Sequence, residues 1–412
     1  MSSVEGAAVT WEEHPWVGDG ADDLPASRRV RLRSRGPYRS AVPARIAELE
    51  VELDRGLGAE SEDALTQLAR FDAELPEAFP PLAQATTGPR ADGELAPLAS
   101  VLLRTESASS SQIENVTAGA KALALATLDE RSGSNARLVA ANVTAMQRAI
   151  ELSDALNVDT ILAAHAALMS GQEHARPGRF RDRQVWIGGS ASSPHGAVFV
   201  PPRAELVPGA TADLIAFCDR SDLPVLTQAA VAHAQFETIH PFADGNGRTG
   251  RTLVQAMLRR SGATRRITVP VSAGLLTETA TYFEALTRYR EGDVSPIVRC
   301  FAEASFAAVA NGRTLVAELR AVYERWLDDV PARRGAAAWT MLPVLVRQPA
   351  VTVAYVQEHA GVSQPAAQRA VDHLVAAEIL TPASQNRRNR IWVATEVIDA
   401  LDDFAERAGR RS

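Results

Sequence analysis

Cysteine is scarce in this sequence, which contains only Cys218 and Cys300 among 412 residues. The two lie far apart, and neither has the CxxC or metal-type spacing of a redox motif or a zinc site. Those two kinds of site are therefore excluded for the cysteines. We expect both side chains to be buried thiols in a reducing compartment.

Long apolar runs and an excess of positive charge are also missing. No segment is apolar enough to span a bilayer, and the N-terminal MSSVEGAAVTWEEHPW lacks a basic region followed by an apolar run. The net charge of -7 argues against extensive coating of nucleic acid. We expect a cytoplasmic protein without a membrane partner, in which any contact with nucleic acid is local.

The length predicts two or three domains. Changes in the sequence pattern divide the chain into residues 1–94, 95–315 and 336–412. The first region contains a polar leader, the helical pattern ARIAELEVELDRGL and a Pro-rich linker, LPEAFPPLAQATTGPRADG. The second has apolar residues at helical spacing almost throughout. Its exception is RQVWIGGSASSPHGAVFVPP, where β-branched and aromatic residues flank a turn cluster and predict a β-hairpin with a long loop.

The third region has the pattern of a winged helix-turn-helix. VTVAYVQEHAGVSQPAAQRAVDHLVAAEIL predicts a helix, a turn at Gly361 and a second helix with Ser363 as N-cap and Pro365 in its first turn. ILTPASQNRRNRIWVAT then predicts a hairpin tipped by QNRRNR. The predicted fold class is mainly α, with one β-hairpin in the middle region and a C-terminal winged-helix domain.

The stretch IHPFADGNGRTGR, residues 239–251, concentrates unusual chemistry. It formally contains GxGxxG, but the preceding AAVAHAQFETIHPF is helical and a basic stretch follows, which excludes a dinucleotide fingerprint. A Walker A loop is excluded because no lysine follows the glycines. The pattern instead predicts a helix that ends at Pro241, a glycine loop, and a new helix over RTLVQAMLRR.

This loop has the residue types for handling a polyphosphate. Backbone N–H groups without Cβ obstruction can cradle an anion at a helix N-terminus, and Asn246 can add a donor. Arg248 and Arg251 can grip successive phosphates, and Asp244 suits Mg²⁺. Since a histidine has an ordinary pKa of about 6.5, His240 can accept a hydroxyl proton. A structural turn with ion pairs is the alternative.

HPFADGNGRTGR resembles the Fic motif HxFx(D/E)GNGRxxR at every defining position. The resemblance implies a mostly helical Fic fold and transfer of AMP from ATP to a Tyr, Thr or Ser hydroxyl of a protein. It implies His240 as general base, Asp244 as Mg²⁺ ligand and Phe242 as a core anchor. It also implies that Gly245, Asn246 and Gly247 hold the α-phosphate, and that Arg248 and Arg251 hold the outer phosphates.

Two other stretches extend the resemblance. The hairpin is similar to the Fic flap, which implies that Val185, Trp186, Ile187, Gly188 and Gly189 clamp the target segment, with a plain surface hairpin as the alternative. SSSQIEN fits the inhibitory pattern (S/T)xxxE(G/N) through Ser110, Glu114 and Asn115, on a helix predicted around residues 98–116. By resemblance, Glu114 competes with the triphosphate for Arg251 and restrains the enzyme.

Two aromatic residues have open roles. Tyr282 is similar to tyrosines that line an adenine pocket in Fic proteins, but core packing explains such an aromatic equally well. His233 also belongs to the Fic consensus, and a structural role is favoured over a ligand role because no zinc spacing surrounds it.

Several alternatives stay open. The same site could remove AMP from a modified protein, or transfer another nucleotide, phosphocholine or phosphate. A DNA-binding regulator built on the winged helix is the rival of another class; it is not favoured because acids and bases balance from Met341 onward. We favour a docking or dimerisation role for that region. A homo-oligomer is also compatible with the sequence.

Overall fold

A computed structural model describes residues 8–16, 36–78, 97–128, 133–151, 155–190, 193–333, 335–383 and 390–409. The α-helices, in chain order, are α1 (Arg55–Ala78), α2 (Pro97–Ile113), α3 (Ala120–Ala126), α4 (Ser134–Glu151), α5 (Val158–Leu168), α6 (Val207–Cys218), α7 (Val225–Ile239), α8 (Asn246–Arg260), α9 (Val271–Thr277), α10 (Thr279–Arg290), α11 (Ser295–Asp329), α12 (Ala337–Arg347), α13 (Val353–Ala360), α14 (Gln364–Ala376) and α15 (Thr395–Arg407). The strands are β1 (Thr10–Pro15), β2 (Pro37–Val42), β3 (Ala350–Val351), β4 (Thr381–Pro382) and β5 (Trp392–Val393). The protein is thus mainly helical, as predicted.

The chain divides into two compact units, each built from separate stretches of sequence. The first comprises the described residues within 1–62, 148–260 and 280–301. The second comprises those within 63–147, 261–279 and 302–412.

Helix α7 forms the centre of the first unit. Every residue from Leu226 to Ile239 is buried, polar side chains included. Helices α6 and α8 pack against it, and α5 packs against both of these. Because α7 is buried on all sides, its polar side chains must find partners inside the unit.

The β-hairpin predicted in the middle region is present in this unit. Ile187 pairs with Phe199 and Ser190 with Ser193 as isolated antiparallel bridges, so the ladder is shorter than the sequence pattern suggested. A second antiparallel pair, between β1 and β2, runs in register from Thr10 opposite Val42 to Pro15 opposite Pro37. The polar composition of this leader had hidden these strands.

The helix predicted over ARIAELEVELDRGL is wrong, because residues 43–54 are irregular and α1 begins only at Arg55. Within this segment the Leu49 N–H donates to the Ile46 carbonyl at 2.9 Å, and other backbone groups bond to buried side chains. The Ile46 N–H donates to Asp213 Oδ2 at 2.6 Å, and Gln235 Nε2 donates to the Ala44 carbonyl at 2.8 Å. The apolar spacing reflects buried Ile46 and Leu49 in an extended turn.

In the second unit, α2 is almost entirely buried and packs against α9, α12 and α15. Its Glu106 carboxylate accepts hydrogen bonds from the Ser272 N–H at 2.8 Å and the Ser272 hydroxyl at 2.5 Å. Asn142 of α4 donates to the Ser107 carbonyl and to the Ser111 hydroxyl. Glu106, Ser107 and Ser111 of α2 are thus held by specific hydrogen bonds.

The C-terminal part of this unit contains α12, then β3, α13, α14, β4, β5 and α15, with strand order β3-β5-β4 and antiparallel pairing. Gly361 ends α13 in the left-handed conformation, and Ser363 stands at the N-cap of α14, as predicted. The tip of the predicted hairpin, with Arg387 and Arg388, lies outside the described residues.

Two further expectations concern the burial of the cysteines and the absence of a membrane-spanning helix. Cys218 and Cys300 are both buried, as predicted. Among the described helices, none combines the length and apolar character that crossing a bilayer requires.

Candidate active site

His240 occupies the residue after the last turn of α7 and has a left-handed backbone, with φ 49° and ψ 62°. This conformation is uncommon for a residue with a Cβ and often marks a functional site. The His240 N–H donates to the Phe236 carbonyl at 2.8 Å, which closes the helix. The side chain is 19% exposed, so the ring borders solvent while its backbone is fixed.

Arg181 also holds this backbone. Its Nε donates to the His240 carbonyl at 2.8 Å, Nη1 donates to Arg183 O at 3.0 Å, and Nη2 donates to the carbonyls of Pro202 and Ile239. Burial lowers the pKa of Arg181 to about 10, which still leaves a cation at neutral pH. Arg183 and Pro202 flank the hairpin, so one guanidinium ties its two ends to the segment carrying His240.

The loop after His240 is closed by two side chains. Asn246 Oδ1 accepts from the Phe242 N–H at 2.8 Å, and Asn246 Nδ2 donates to the Phe242 carbonyl at 2.9 Å. Phe242 is fully buried and its ring stacks on His165, with ring centroids 3.7 Å apart. Phe242 is therefore a core anchor. The Asn246 side chain, which was predicted to donate to a phosphate, bonds at both ends to the Phe242 backbone and so fixes the loop.

His165 supports the same loop and was missed in the sequence. Its Nδ1 accepts from the Gly178 N–H at 3.0 Å, so its hydrogen lies on Nε2, which donates to the Asp244 carbonyl at 3.1 Å. Burial lowers the pKa of His165 to about 4, which keeps the ring neutral. A histidine in an apolar helix gave no local signal because its partners lie elsewhere in the sequence.

Helix α8 starts at Asn246, five residues earlier than predicted from RTLVQAMLRR. Thr249 donates from both its N–H and its hydroxyl to the Gly245 carbonyl, which completes the first turn. Gly247 and Gly250 therefore lie inside the helix, and only Gly245 belongs to the loop. Gly245 has φ +77°, and a Cβ there would lie 2.8 Å from Met169 Sδ.

Gly250 has a packing role. A Cβ at this position would lie 3.0 Å from both His233 Nδ1 and Phe236 Cδ1. The missing side chain thus allows α8 to approach α7 closely. This contact brings the first turns of α8 beside the end of α7 that carries His240.

The charged residues of the motif differ in exposure. Arg248 and Arg251 are buried, with 4% and 2% of their surface exposed. The Asp244 side chain is 47% exposed and lies 3.6 Å from Arg248 and 3.7 Å from His174. Two buried guanidinium groups near a helix N-terminus create a positive field that attracts phosphate.

Asp244 is the candidate metal ligand of this loop. Its Oδ1 accepts from the Gly245 N–H at 2.6 Å, and half of its side chain faces solvent. Within the described residues, no group of three or more His, Cys, Asp or Glu side chains could hold a metal ion alone. One accessible carboxylate fits Mg²⁺, which usually takes one or two carboxylates and completes its shell with phosphate and water.

Tyr282 and His233 form a buried pair. The Tyr282 hydroxyl lies 2.8 Å from His233 Nε2, and both residues are at most 1% exposed. Burial lowers the pKa of His233 to about 4. These contacts support a structural role for His233 and the core-packing alternative for Tyr282; an adenine contact by Tyr282 stays a prediction.

The hairpin residues Val185 to Gly189 lie in the first unit with the motif. The Ile187 N–H donates to Phe199 O at 2.8 Å, and the Trp186 ring N–H donates to Ser190 O at 2.7 Å. Gly188 and Gly189 have φ of +71° and +77°, and a Cβ on Gly189 would meet the Gly196 carbonyl at 2.9 Å. These glycines allow the tight crossing of the two arms.

The three residues of the inhibitory pattern lie in the second unit. Ser110 is buried on α2, Glu114 follows the end of α2 and is exposed, and Asn115 has a left-handed backbone with φ 60°. The helix predicted around residues 98–116 corresponds to α2. The inhibitory role of Glu114 stays a prediction.

Residues 155–258 match the model of the Fic/DOC family. Protein adenylyltransferase fic-1 of Caenorhabditis elegans is 32% identical over 159 residues, which is 38% of this chain and 28% of the relative. Protein adenylyltransferase Fic of Nematostella vectensis is 31% identical over 173 residues, 41% of this chain and 36% of the relative. The matched segment thus spans about a third of these curated relatives.

Two solved structures are also similar. A Fic family protein from Desulfovibrio desulfuricans G20 has a TM-score of 0.46 and 23% identity, covering 80% of this chain and 95% of that chain. Fic-1 from Caenorhabditis elegans has a TM-score of 0.42 and 20% identity, covering 62% of this chain and 72% of that chain.

Proposed function

We propose that this chain is a Fic-type protein adenylyltransferase, which transfers AMP from ATP to a hydroxyl side chain of a target protein or of itself. The observation that carries the proposal is the geometry around His240. Its backbone is fixed by Phe236 and Arg181, its ring borders solvent, and the glycine loop and α8 follow directly. The match of residues 155–258 to the Fic/DOC family and the similarity to relatives named protein adenylyltransferase support the same reaction.

In this proposal His240 removes the proton from the attacking hydroxyl. The hydroxyl oxygen forms a bond to the α-phosphorus of ATP, the bond between the α-phosphorus and its bridging oxygen breaks, and pyrophosphate leaves. Gly245, Asn246 and Gly247 hold the α-phosphate, while Arg248 and Arg251 hold the outer phosphates. Positioning and electrostatic stabilisation supply most of the catalysis.

Asp244 would hold the Mg²⁺ that such a reaction uses. Its exposed carboxylate fits the ion, as its geometry above indicates. When bound, Mg²⁺ would neutralise charge on the phosphates. Arg248, 3.6 Å from Asp244, would share this charge neutralisation.

The hairpin from Val185 to Gly189 would act as the flap that receives the target. Its ladder consists of isolated bridges, and an extended segment with a Tyr, Thr or Ser acceptor would pair with its backbone. Because Arg181 joins the ends of the hairpin to the His240 carbonyl, a bound segment would lie at a fixed distance from the base.

Glu114 would restrain the enzyme by competing with the triphosphate for Arg251, with Ser110 and Asn115 completing the inhibitory pattern. De-AMPylation is the alternative at the same site, since Glu114 could orient a water molecule. Transfer of another nucleotide, phosphocholine or phosphate would use the same residues; the intact GNGR sequence favours AMP.

The proposed domains are 1–94, 95–315 and 336–412, and the last would be a winged helix-turn-helix used for target docking or dimerisation. Helices α13 and α14 with the strands β3, β4 and β5 are the elements such a domain requires. A DNA-binding regulator is the rival function, and a salt-dependent shift of duplex DNA by the protein would support it. A cytoplasmic location and a homo-oligomer belong to the same proposal.

Intact mass after incubation with ATP and Mg²⁺ tests the function. We compare the unmodified sequence, Glu114→Gly, and Glu114→Gly combined with His240→Ala. The expected single-AMP increment is weak, strong and absent in that order. Absence of the increment in all three would contradict self-labelling, and AMP release from a modified protein would then be measured.

A further inference from the structure

Glu237 lies one helical turn before His240 on α7, and the reaction proposed above gives it no role. Its side chain is 8% exposed, and its Oε2 lies 3.6 Å from His240 Nδ1. Among the described residues, neither His240 Nδ1 nor Glu237 Oε1 has a hydrogen-bond partner. A buried carboxylate and the imidazole of the proposed base thus face each other at ion-pair distance.

The backbone conformation of His240 explains why its Nδ1 atom faces Glu237. Residue 240 takes the left-handed conformation, closed by Phe236 and by Arg181, so the chain reverses its course there. This reversal turns Nδ1 back toward the last turn of α7, where Glu237 projects. The other ring nitrogen, Nε2, is then the one available to a substrate hydroxyl.

The Glu237 carboxyl group is ionised at neutral pH. Burial acts to raise its pKa, but His240, His233 and Arg251 outweigh burial and hold the pKa at about 2. Arg290 contacts the same residue through its backbone, since Arg290 Nη2 donates to the main-chain carbonyl of Glu237 at 3.5 Å. Because the group is shielded from water, its charge acts on the nearby imidazole more strongly than an exposed carboxylate would.

We propose that Glu237 is a positioning residue that keeps the hydrogen of His240 on Nδ1 and so leaves the Nε2 lone pair ready to accept the hydroxyl proton. This inference rests on the proposed role of His240 as base. When Nε2 takes the proton, the ring becomes an imidazolium whose positive charge the Glu237 carboxylate stabilises. The carboxylate stays ionised throughout, and the proton later leaves Nε2 to solvent.

The separation of 3.6 Å is longer than a hydrogen bond. Contacts between catalytic groups are often long before the substrate binds and shorten in the productive complex. A hydroxyl seated at Nε2 would pull electron density through the ring and make Nδ1–H a better donor. The contact is therefore expected to tighten during the reaction.

A kinetic experiment separates orientation from packing. In the Glu114→Gly background, Glu237→Gln keeps the shape of the side chain but removes its charge, and Glu237→Asp keeps the charge on a shorter chain. Glu60→Gln, which changes an ion pair with Arg299 in the same unit, is the matched control. Circular dichroism and thermal unfolding confirm that each variant is folded.

Glu237→Gln should lower the rate of AMP transfer roughly 100-fold with little change in the KM for ATP. The acid limb of its pH–rate profile should move to lower pH, because the imidazolium loses its neighbouring negative charge. Glu237→Asp should recover about tenfold, and Glu60→Gln should match its parent. An unmoved acid limb, or equal losses in the Gln and Asp variants, would overturn the proposal.

A second measurement needs no activity. NMR of isotope-labelled histidine nitrogens, assigned by comparison with His240→Ala, reports which nitrogen of His240 carries the hydrogen. We expect Nδ1–H in the unmodified sequence and a shift toward Nε2–H in Glu237→Gln; Nε2–H in the unmodified sequence would refute the inference. Nδ1–H that depends on Glu237, in a protein that never labels with ATP, would refute the proposed function alone.

Discussion

Arg181 donates hydrogen bonds to the main-chain carbonyls of four residues, and two of these, Ile239 and His240, belong to the segment that carries the proposed base. The planar guanidinium reaches several acceptors at fixed angles, which a single ammonium group cannot do. The position of the His240 backbone therefore depends on the shape of the Arg181 side chain as well as on its charge.

Arg181→Lys should accordingly destabilise the protein by roughly 2–4 kcal/mol, because several buried carbonyls lose their donor. The rate of AMP transfer should fall by at least about tenfold beyond any loss of folded protein. Urea unfolding and the rate of self-labelling check these effects. Arg183→Lys, an exposed arginine two residues on, is the control and should leave both quantities nearly unchanged.

Gly250 offers a packing test with a matched partner. A Cβ there would lie 3.0 Å from His233 and Phe236, whereas a Cβ on Gly209 of α6 meets nothing within 4 Å. Gly250→Ala should destabilise by about 1–3 kcal/mol, and Gly209→Ala should stabilise by about 0.5–1 kcal/mol. Denaturant unfolding of both variants measures the difference, and changes of the same sign would contradict the account.

At this scale the sequence revealed the residues whose neighbours are local. HPFADGNGRTGR places His240, Asp244 and Arg248 within nine positions, so their chemistry is readable from spacing. Arg181 and His165 were missed because their partners lie 59 and 79 residues away. Glu237 was visible three residues before His240, but only the reversed backbone shows that the two side chains meet.

Helix α1 begins later in the chain than its sequence pattern predicted. The apolar spacing in residues 44–57 predicted a helix, yet α1 starts at Arg55. The signal that sets the start is Asp54, whose Oδ1 accepts from the Leu57 N–H at 2.9 Å and so caps the first turn. Spacing alone did not distinguish a helix face from an irregular segment with two buried anchors.

Asp54→Ala should therefore cost about 1 kcal/mol of stability, because the first turn of α1 loses its cap. Asp63→Ala, an exposed acid further along α1, is the control and should change stability by less than about 0.5 kcal/mol. Urea unfolding of the two variants is the measurement. Equal effects would show that Asp54 does not act as a cap.

At the scale of the whole molecule, buried histidines predict how stability depends on pH. Burial lowers the pKa of His165 and of His233 to about 4, against about 6.5 in an unfolded chain. As pH falls from about 6.5 to about 4, the unfolded chain gains protons that the folded chain does not, so folding stability falls. The loss is up to roughly 3 kcal/mol for each histidine.

Glu237 makes folding stability depend on pH in a second, lower pH range. Its lowered pKa contributes stability that is present above about pH 4.5 and is lost as pH falls toward about 2.

Urea unfolding between pH 8 and about 4 tests the prediction for the two histidines. It should show a folding stability that declines as pH falls, with a smaller slope in His233→Gln. A stability that rises over this range would contradict the assignment of neutral buried histidines.

The division into two units was not readable from the sequence. The chain alternates between them, so that stretches 148–260 and 280–301 join the first unit while 261–279 joins the second. Composition and linkers predict contiguous domains. Neither feature indicates which distant stretches of the chain pack together. The mainly helical class was predictable because helical spacing repeats along almost every element.

The proposed transfer of AMP by His240 is tested most directly with ATP that is radioactive at one chosen phosphate. Glu114→Gly protein is incubated with Mg²⁺ and either α-labelled or γ-labelled ATP, and the same is done with His240→Ala added. We expect stable protein label from α-labelled ATP only, and none after His240→Ala. Label from γ-labelled ATP, or α-label that persists without His240, would contradict it.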